Sequence, residues 1–427
     1  MSQIDRREFL AGTAAGLMIL KPWTVRGYQA NSAVRLGLLG CGGRGTAVAT
    51  SFSKNTTARV VALGDIFADQ LDKGKQYFDG VASSLGYTGP DKSLLFRGPK
   101  AYQEMAASKE IDAIQISTPP FFHVEHLEAS VAGGKHTYCE KPVGVDEAQA
   151  RRALKIAKKV DAKTSVDVGF QIRSAPPFKA LVERIHGGAV GKLVSISAHY
   201  YAPASTYPDR PPEMSKDELR LRNWNWDLAL SGDIIVEQDI HVVDICNWVL
   251  GSHPLMAYAT GARSVLTHFG NTFDNYQVTF TYPDDIHVSL NAKQYGNTKD
   301  FDVSEQVFGS LGYSESPYSG PLRIAGENPW EWKNDGSGSE TAGGNAQFAA
   351  NGAFSDNLGQ ADSEKDKGFI DSIVSGKPHN QIGLGVETAR SAMMARMAAR
   401  QKRVVTWEEL LATHEAFELG MDLNQFA

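Results

Sequence analysis

Three polar side chains in a mostly apolar stretch between Gly232 and Trp248 are spaced for chemistry: Glu237, His241 and Asp244, four and three residues apart. On an α-helix that spacing brings all three to one face, and a polar stripe on a buried helix needs a cavity or partners. The imidazole among them has an ordinary pKa of about 6.5, which suits proton transfer at neutral pH. Earlier in the chain, Gly40-Cys41-Gly42-Gly43-Arg44-Gly45 has the glycine spacing of a turn that cradles a pyrophosphate. Gly40 allows the tight turn, Gly42 lets backbone approach the phosphates, and Gly45 permits close packing of helix on strand. Asp65, twenty residues after Gly45, is placed to hold ribose hydroxyls, and its charge would repel a ribose phosphate, favouring NAD over NADP. A dinucleotide beside a histidine points to hydride leaving a hydroxyl-bearing carbon while the hydroxyl proton goes to a base.

These residues need a frame. Val34, Leu36 and Leu38 alternate with smaller or polar residues and predict a strand running into the glycine turn, with a helix over Thr46 to Phe52 behind it. Val60 to Leu63 predicts a second strand, ending at Gly64-Asp65. Ile111 to Ser117 predicts a buried strand ending in Thr118-Pro119-Pro120, followed by a helix from His123 to Ala132 and a strand from His136 to Cys139. Strands alternating with helices imply an α/β fold with a parallel, doubly wound sheet. In such sheets ligands sit beyond the carboxyl ends of the strands, which is where Glu140-Lys141-Pro142 falls, so Lys141 would face the nicotinamide. From about residue 190 the texture becomes strand runs: Lys192 to Tyr201, Leu255 to Val265, Tyr276 to Tyr282, Ile286 to Gln294 and Phe301 to Gly309, predicting an antiparallel or mixed sheet. Residues 326–361, rich in Gly, Asn, Ser and Ala, read as a long loop, a candidate cap for the pocket. Helices over Lys365 to Val374, Gly385 to Gln401 and Thr406 to Phe417 close the chain. The division expected is a signal segment (1–30), a dinucleotide-binding domain (31–172) and a substrate and oligomerisation domain (173–427).

The glycine turn, then Thr118-Pro119-Pro120 with His123, then Glu140-Lys141-Pro142, resemble in that order the Gfo/Idh/MocA oxidoreductase family, across residues 33 to about 310. The resemblance implies a Rossmann domain followed by a domain with a large open sheet that often forms a dimer face, hence a homo-oligomer. It also implies that Lys141 contacts the substrate hydroxyl and the cofactor region, and that an acid four residues before a histidine touches the reacting hydroxyl and its neighbour. Glu237 stands here where aspartate is more usual, which alters the reach of that carboxylate and leaves the substrate open. His241 is accordingly assigned as general acid/base, Lys141 as the group that polarises the hydroxyl, and Glu237 as the residue that orients substrate or His241. Cofactor contacts are expected from Gly40, Gly42, Gly43, Arg44, Gly45, Asp65, Thr118, Pro119, His123, Glu140 and Lys141. Asp244 and Arg173 are further substrate candidates, although Arg173 could equally bridge the domains. Trp224 and Trp226 read either as a stacking platform for a sugar or as core.

Composition narrows the remaining choices. With 42% hydrophobic and 22% charged residues over 427, the chain has the balance of a packed globular protein. A net charge of −6 without a long basic run argues against nucleic acid as a partner. Cys41, Cys139 and Cys246 are too few and too widely spaced for a disulfide framework or a thiolate metal site, and no histidine and acid set predicts a metal. Arg6-Arg7 followed by Phe9-Leu10 and a short apolar stretch to Leu20 resembles a twin-arginine export signal, so a periplasmic protein without a retained membrane anchor is expected. That route carries folded proteins, which suits a dinucleotide bound tightly inside the cell. A small carbohydrate substrate and hydride transfer to a sugar or polyol form the leading expectation. An NAD-dependent glycosidase or keto-sugar lyase working by transient oxidation, and a non-catalytic sugar or NAD sensor, are the alternatives.

Overall fold

The computed structural model describes residues 33–203, 214–296, 301–333 and 356–427. The arginine pair and apolar stretch read as an export signal lie outside them, as does most of the segment read as a long loop.

Six strands, β1 (Arg35–Leu39), β2 (Arg59–Asp65), β3 (Leu95–Arg97), β4 (Ala113–Ile116), β5 (His136–Cys139) and β6 (Val166–Val168), form a parallel sheet in the order β3-β2-β1-β4-β5-β6. The order reverses between β1 and β4, and a crevice opens there beyond the strand ends. All four residues of β4 are buried, as expected of a strand covered by helices on both faces. The helix after β1 spans Gly43–Asn55, three residues longer at each end than its apolar pattern indicated.

The second sheet contains β7 (Leu193–Ala202), β8 (Met256–Ala262), β9 (Asn275–Thr281), β10 (His287–Gln294), β11 (Asp302–Gly309), β12 (Gly312–Glu315), β13 (Arg323–Gly326), β14 (Trp330–Glu331) and β15 (Val405–Thr406). Their order is β14-β13-β12-β11-β7-β10-β9-β8-β15, with β7 and β10 parallel and the other pairs antiparallel. The sheet is thus mixed. Strand β14 occupies the start of the segment read as a loop. Burial alternates along β8, β9 and β10, so one face packs on helices and the other is open.

The chain then returns to the first sheet. The helix Ala361–Val374 brings Phe369 edge-on to Phe52, with ring centroids 5.9 Å apart, in the core under the glycine turn. The helix Ile382–Gln401 packs between the domains, and its fully buried Arg396 donates to the carbonyls of Val145 and Gly232 at 2.6 and 2.8 Å. The last helix is shorter than its apolar pattern suggested, spanning Trp407–Ala412. No described helix is long and apolar enough to cross a membrane.

One expectation is corrected. The stretch from Gly232 to Trp248 is not a continuous helix: it divides into Ile234–Glu237 and Ile240–Leu250. Asp233 causes the entry, with a φ of +83° in the region that disfavours a side chain. Its carboxylate compensates by accepting from the amides of Ile234 (3.0 Å) and Phe273 (2.9 Å) and pairing with Arg400 at 2.5 Å. A second break follows at Gln238-Asp239, so Glu237 ends one turn and His241 begins the next.

Candidate active site

The glycine turn is set by contacts that no larger residue could share. Gly40 has a φ of +95°, and a Cβ there would lie 2.5 Å from the Ser117 carbonyl. A Cβ on Gly45 would lie 2.1 Å from the Gly40 carbonyl, so the helix can approach β1 only without one. Gln115 supports the turn from β4, its amide donating to the Gly45 carbonyl at 3.0 Å. The first amides of the helix Gly43–Asn55 have no side-chain cap, leaving donors and the positive dipole end for an anion.

Asp65 closes this half of the site. Its two oxygens accept from the amides of Cys41 (2.8 Å) and Phe67 (2.9 Å), and burial raises its pKa against those two bonds. Each oxygen retains a lone pair, and Asp65 lines a cavity of about 270 Å³ together with Gly40, Gly42, Thr118, Pro119 and Trp224. Around Gly42 a Cβ would meet no protein atom within 4 Å. Close backbone approach, an uncapped helix start and a carboxylate at the strand end fit a dinucleotide.

A second cavity, of about 280 Å³, shares Ser117, Thr118 and Trp224 with the first and brings together the three residues expected to be catalytic. Lys141, from the loop after β5, and Glu237 and His241, from the two sides of the helix break, all line it. The Lys141 ammonium donates to the Glu237 carbonyl and lies 3.3 Å from Glu237 Oε1. The bond between Lys141 and Pro142 is cis. His123 joins two walls of the cavity, with Nδ1 2.8 Å from the Pro142 carbonyl and Nε2 2.7 Å from that of Thr118.

His241 is buried, and its Nδ1 has no partner. Burial, and after it the positive charges of Lys141 and Arg44, hold its pKa well below the ordinary value. A neutral imidazole in a desolvated cavity can accept a proton. Three glutamines missed by sequence reasoning line the same cavity: Gln171, Gln238 and Gln294, each with a buried side-chain oxygen lacking a partner. Buried polar groups of this kind cost about 1–3 kcal/mol each unless something meets them. The cavity therefore offers several amides and an imidazole to a molecule carrying several hydroxyls.

Other expected site residues are arranged differently. Arg44 and Glu140 line the second cavity but pair with each other at 2.8 Å, and Arg44 also makes two bonds of 2.8 Å to Asp362. Its charge is therefore largely neutralised. Trp224 lines both cavities, whereas Trp226 is buried against Phe269 at 5.6 Å. Arg173 and Asp244 pair with each other at 2.7 and 2.9 Å, and Thr388 adds a bond of 3.0 Å to Asp244. Neither lines the two cavities, and their ion pair ties the turn Gln171–Ser174, which follows β6, to the helix carrying His241. Asp244→Ala would leave Arg173 half-buried without its partner, and we expect a stability loss of about 3–5 kcal/mol. Denaturant unfolding checks this; a loss under 1 kcal/mol would rule out a bracing role. Among the described residues no cluster of three His, Cys, Asp or Glu side chains is arranged to hold a metal, and all three cysteines are buried and free.

Comparison with known proteins agrees with this architecture. Residues 34–168 match the oxidoreductase family with an NAD-binding Rossmann fold known as Gfo/Idh/MocA, and residues 178–315 match a C-terminal domain of the same family. An inositol 2-dehydrogenase of Rhizobium meliloti (strain 1021) is 29% identical over 241 residues, 56% of this chain and 62% of the relative. The chain thus spans less than two thirds of that relative. A levoglucosan dehydrogenase, solved with NADH and levoglucosan, superposes with a TM-score of 0.67 at 15% identity, over 88% of this chain and 99% of that one. An aldose-aldose oxidoreductase from Caulobacter crescentus, solved with glycerol, gives 0.66 at 16% identity with the same two coverages. The paired domains and the two family matches place the chain in the Gfo/Idh/MocA oxidoreductase family.

Proposed function

We propose that this protein is an NAD-dependent oxidoreductase acting at a hydroxyl-bearing carbon of a neutral sugar or polyol. The observation that carries this reading is the cavity in which Lys141, Glu237, the unpartnered His241 nitrogen and three unsatisfied glutamine oxygens meet. Relatives named as inositol and levoglucosan dehydrogenases support the substrate class. Asp65 favours NAD over NADP, because a ribose phosphate there would face a carboxylate. Charge supports a neutral substrate: among the described residues lining this cavity, Arg44 is paired with two acids and Lys141 with Glu237, so neither cation is left over for a carboxylate or phosphate.

When bound, the dinucleotide supplies the hydride acceptor. Lys141 donates a hydrogen bond to the reacting hydroxyl oxygen and stabilises negative charge as it develops there. His241, kept neutral by its surroundings, takes the hydroxyl proton. Glu237 holds Lys141 in position and accepts from a neighbouring hydroxyl. Absorbance of the reduced nicotinamide, followed with NAD and a panel of inositols, aldoses and anhydrosugars, tests the reading. Turnover of a neutral member supports it, whereas turnover confined to sugar phosphates or uronic acids would overturn it. Free sugar released from glycosides without added cofactor would redirect the same residues to cleavage by transient oxidation.

We further propose that residues 5–20 direct export by the twin-arginine route. The Arg6-Arg7 pair followed by an apolar stretch supports this. Arg6→Lys with Arg7→Lys is expected to trap the chain in the cytoplasm on cell fractionation; unchanged export would refute it.

A further inference from the structure

Residues 413–427 run back from the second domain across the first. Arg151 donates to the Thr413 carbonyl at 2.8 Å, the Ala148 amide to the Glu415 carbonyl at 3.1 Å, and the Phe417 amide to the buried Asp146 carboxylate at 2.8 Å. Arg396 pairs with Glu415. Beyond Glu418 the anchoring becomes mostly apolar: Leu419, Met421, Leu423 and Phe426 pack around Phe122 and Leu221. Phe426 meets Phe67 edge-on at 5.5 Å, and the Gln425 amide donates to Asp217 at 3.1 Å. Ala427 lies so near Gly98 that a Cβ there would come within 3.3 Å of its Cα.

Phe67 follows directly on the Asp65 turn, and Leu423 lines the same cavity as Gly40, Gly42 and Asp65. Across from it, Arg222 lies 3.9 Å over the Phe67 ring and pairs with Asp69 at 2.7 Å. We propose that residues 419–427 are part of the dinucleotide site: they form an outer wall of its adenosine end, and the cofactor exchanges only when they lift away. This rests on the reading of that cavity as the dinucleotide site. The strap touches both domains, so several contacts must break together before it opens. Its side chains are nonetheless only half-buried or exposed, so lifting it requires much less than unfolding a domain. Such a wall slows departure of the cofactor more than it tightens the phosphate contacts.

The test measures NADH release directly. Protein stripped of dinucleotide is reloaded with NADH, and dissociation is followed by fluorescence after mixing with excess NAD. The full chain is compared with a chain lacking residues 419–427 and with the double substitution Leu423→Ser and Phe426→Ala, which removes only half-buried side chains and leaves the buried Phe122, Leu221 and Leu230 in place. We expect release at least about tenfold faster in both variants, with thermal unfolding of the domains preserved. Equal release rates from all three proteins would overturn the strap while leaving the oxidoreductase reading intact. Failure of the full chain to bind NADH at all would overturn both. Should the truncated chain fold poorly, the double substitution decides alone.

Discussion

His241→Ala is expected to lower kcat for alcohol oxidation by about 10²–10⁴-fold, the range that a positioned acid/base contributes, while NADH still binds. The separation follows from placement: His241 lines the cavity with Lys141 and Glu237, whereas Gly40, Gly42 and Asp65 line the other. Its neutral state follows from burial, reinforced by Lys141 and Arg44. For a histidine whose folded pKa is depressed, stability is present above the unfolded value of about 6.5 and is lost as pH falls below it, because only the unfolded chain then takes up the proton. The variant should therefore lose less stability than the parent between pH 7 and pH 5. A slope remains, since burial also pushes His126 down to about 3. Unaltered kcat in the variant would remove His241 from the chemistry, whatever its effect on stability.

Gly45→Ala should weaken dinucleotide binding although it lies outside the reaction cavity. The new Cβ would sit 2.1 Å from the Gly40 carbonyl and 3.0 Å from the Ser117 Cβ. Backbone must therefore move in the turn that presents the uncapped amides. Overpacking of this kind costs about 1–3 kcal/mol, and in a binding turn that amounts to roughly a 5- to 150-fold loss of affinity. Gly42→Ala provides the contrast, because its Cβ meets no protein atom within 4 Å. Stability should hold while affinity falls, since the added methyl projects where the pyrophosphate must approach. Fluorescence titration with NADH beside thermal unfolding separates the two; unchanged affinity in both would contradict the assignment of the turn.

The parts of this molecule legible in its sequence were those encoded locally. Strand β1, the glycine turn and Asp65 follow one another within 31 residues, counting from Arg35 to Asp65, and each has a residue-level reason. Lys141 was legible because strand ends are where ligands sit. The spacing of Glu237 and His241 predicts one helix face, and the structure does bring them to one cavity, but across a helix break: that break depends on the Asp233 carboxylate reaching Phe273 and Arg400, which periodicity does not encode. Strands β12 to β15 escaped because they are two to four residues long, too short for alternation to register. Distance hid the rest. Asp362 joins Arg44 across 318 residues, and Gln171, Gln238 and Gln294 come from three distant stretches of the chain with no spacing to link them. Arg173 and Asp244 had the right types for a substrate site but neutralise each other, which only their proximity reveals.

Direct transfer of hydrogen between substrate and dinucleotide is the central claim, and isotopic labelling tests it. The protein, loaded with NAD, would be incubated with inositols and aldoses deuterated at their carbinol carbons, then denatured and its dinucleotide weighed by mass spectrometry. Deuterium in the reduced dinucleotide, lost in Lys141→Ala and His241→Ala, is the result expected. Turnover of a labelled substrate that leaves the dinucleotide unlabelled throughout would contradict hydride transfer and require another role for the cavity.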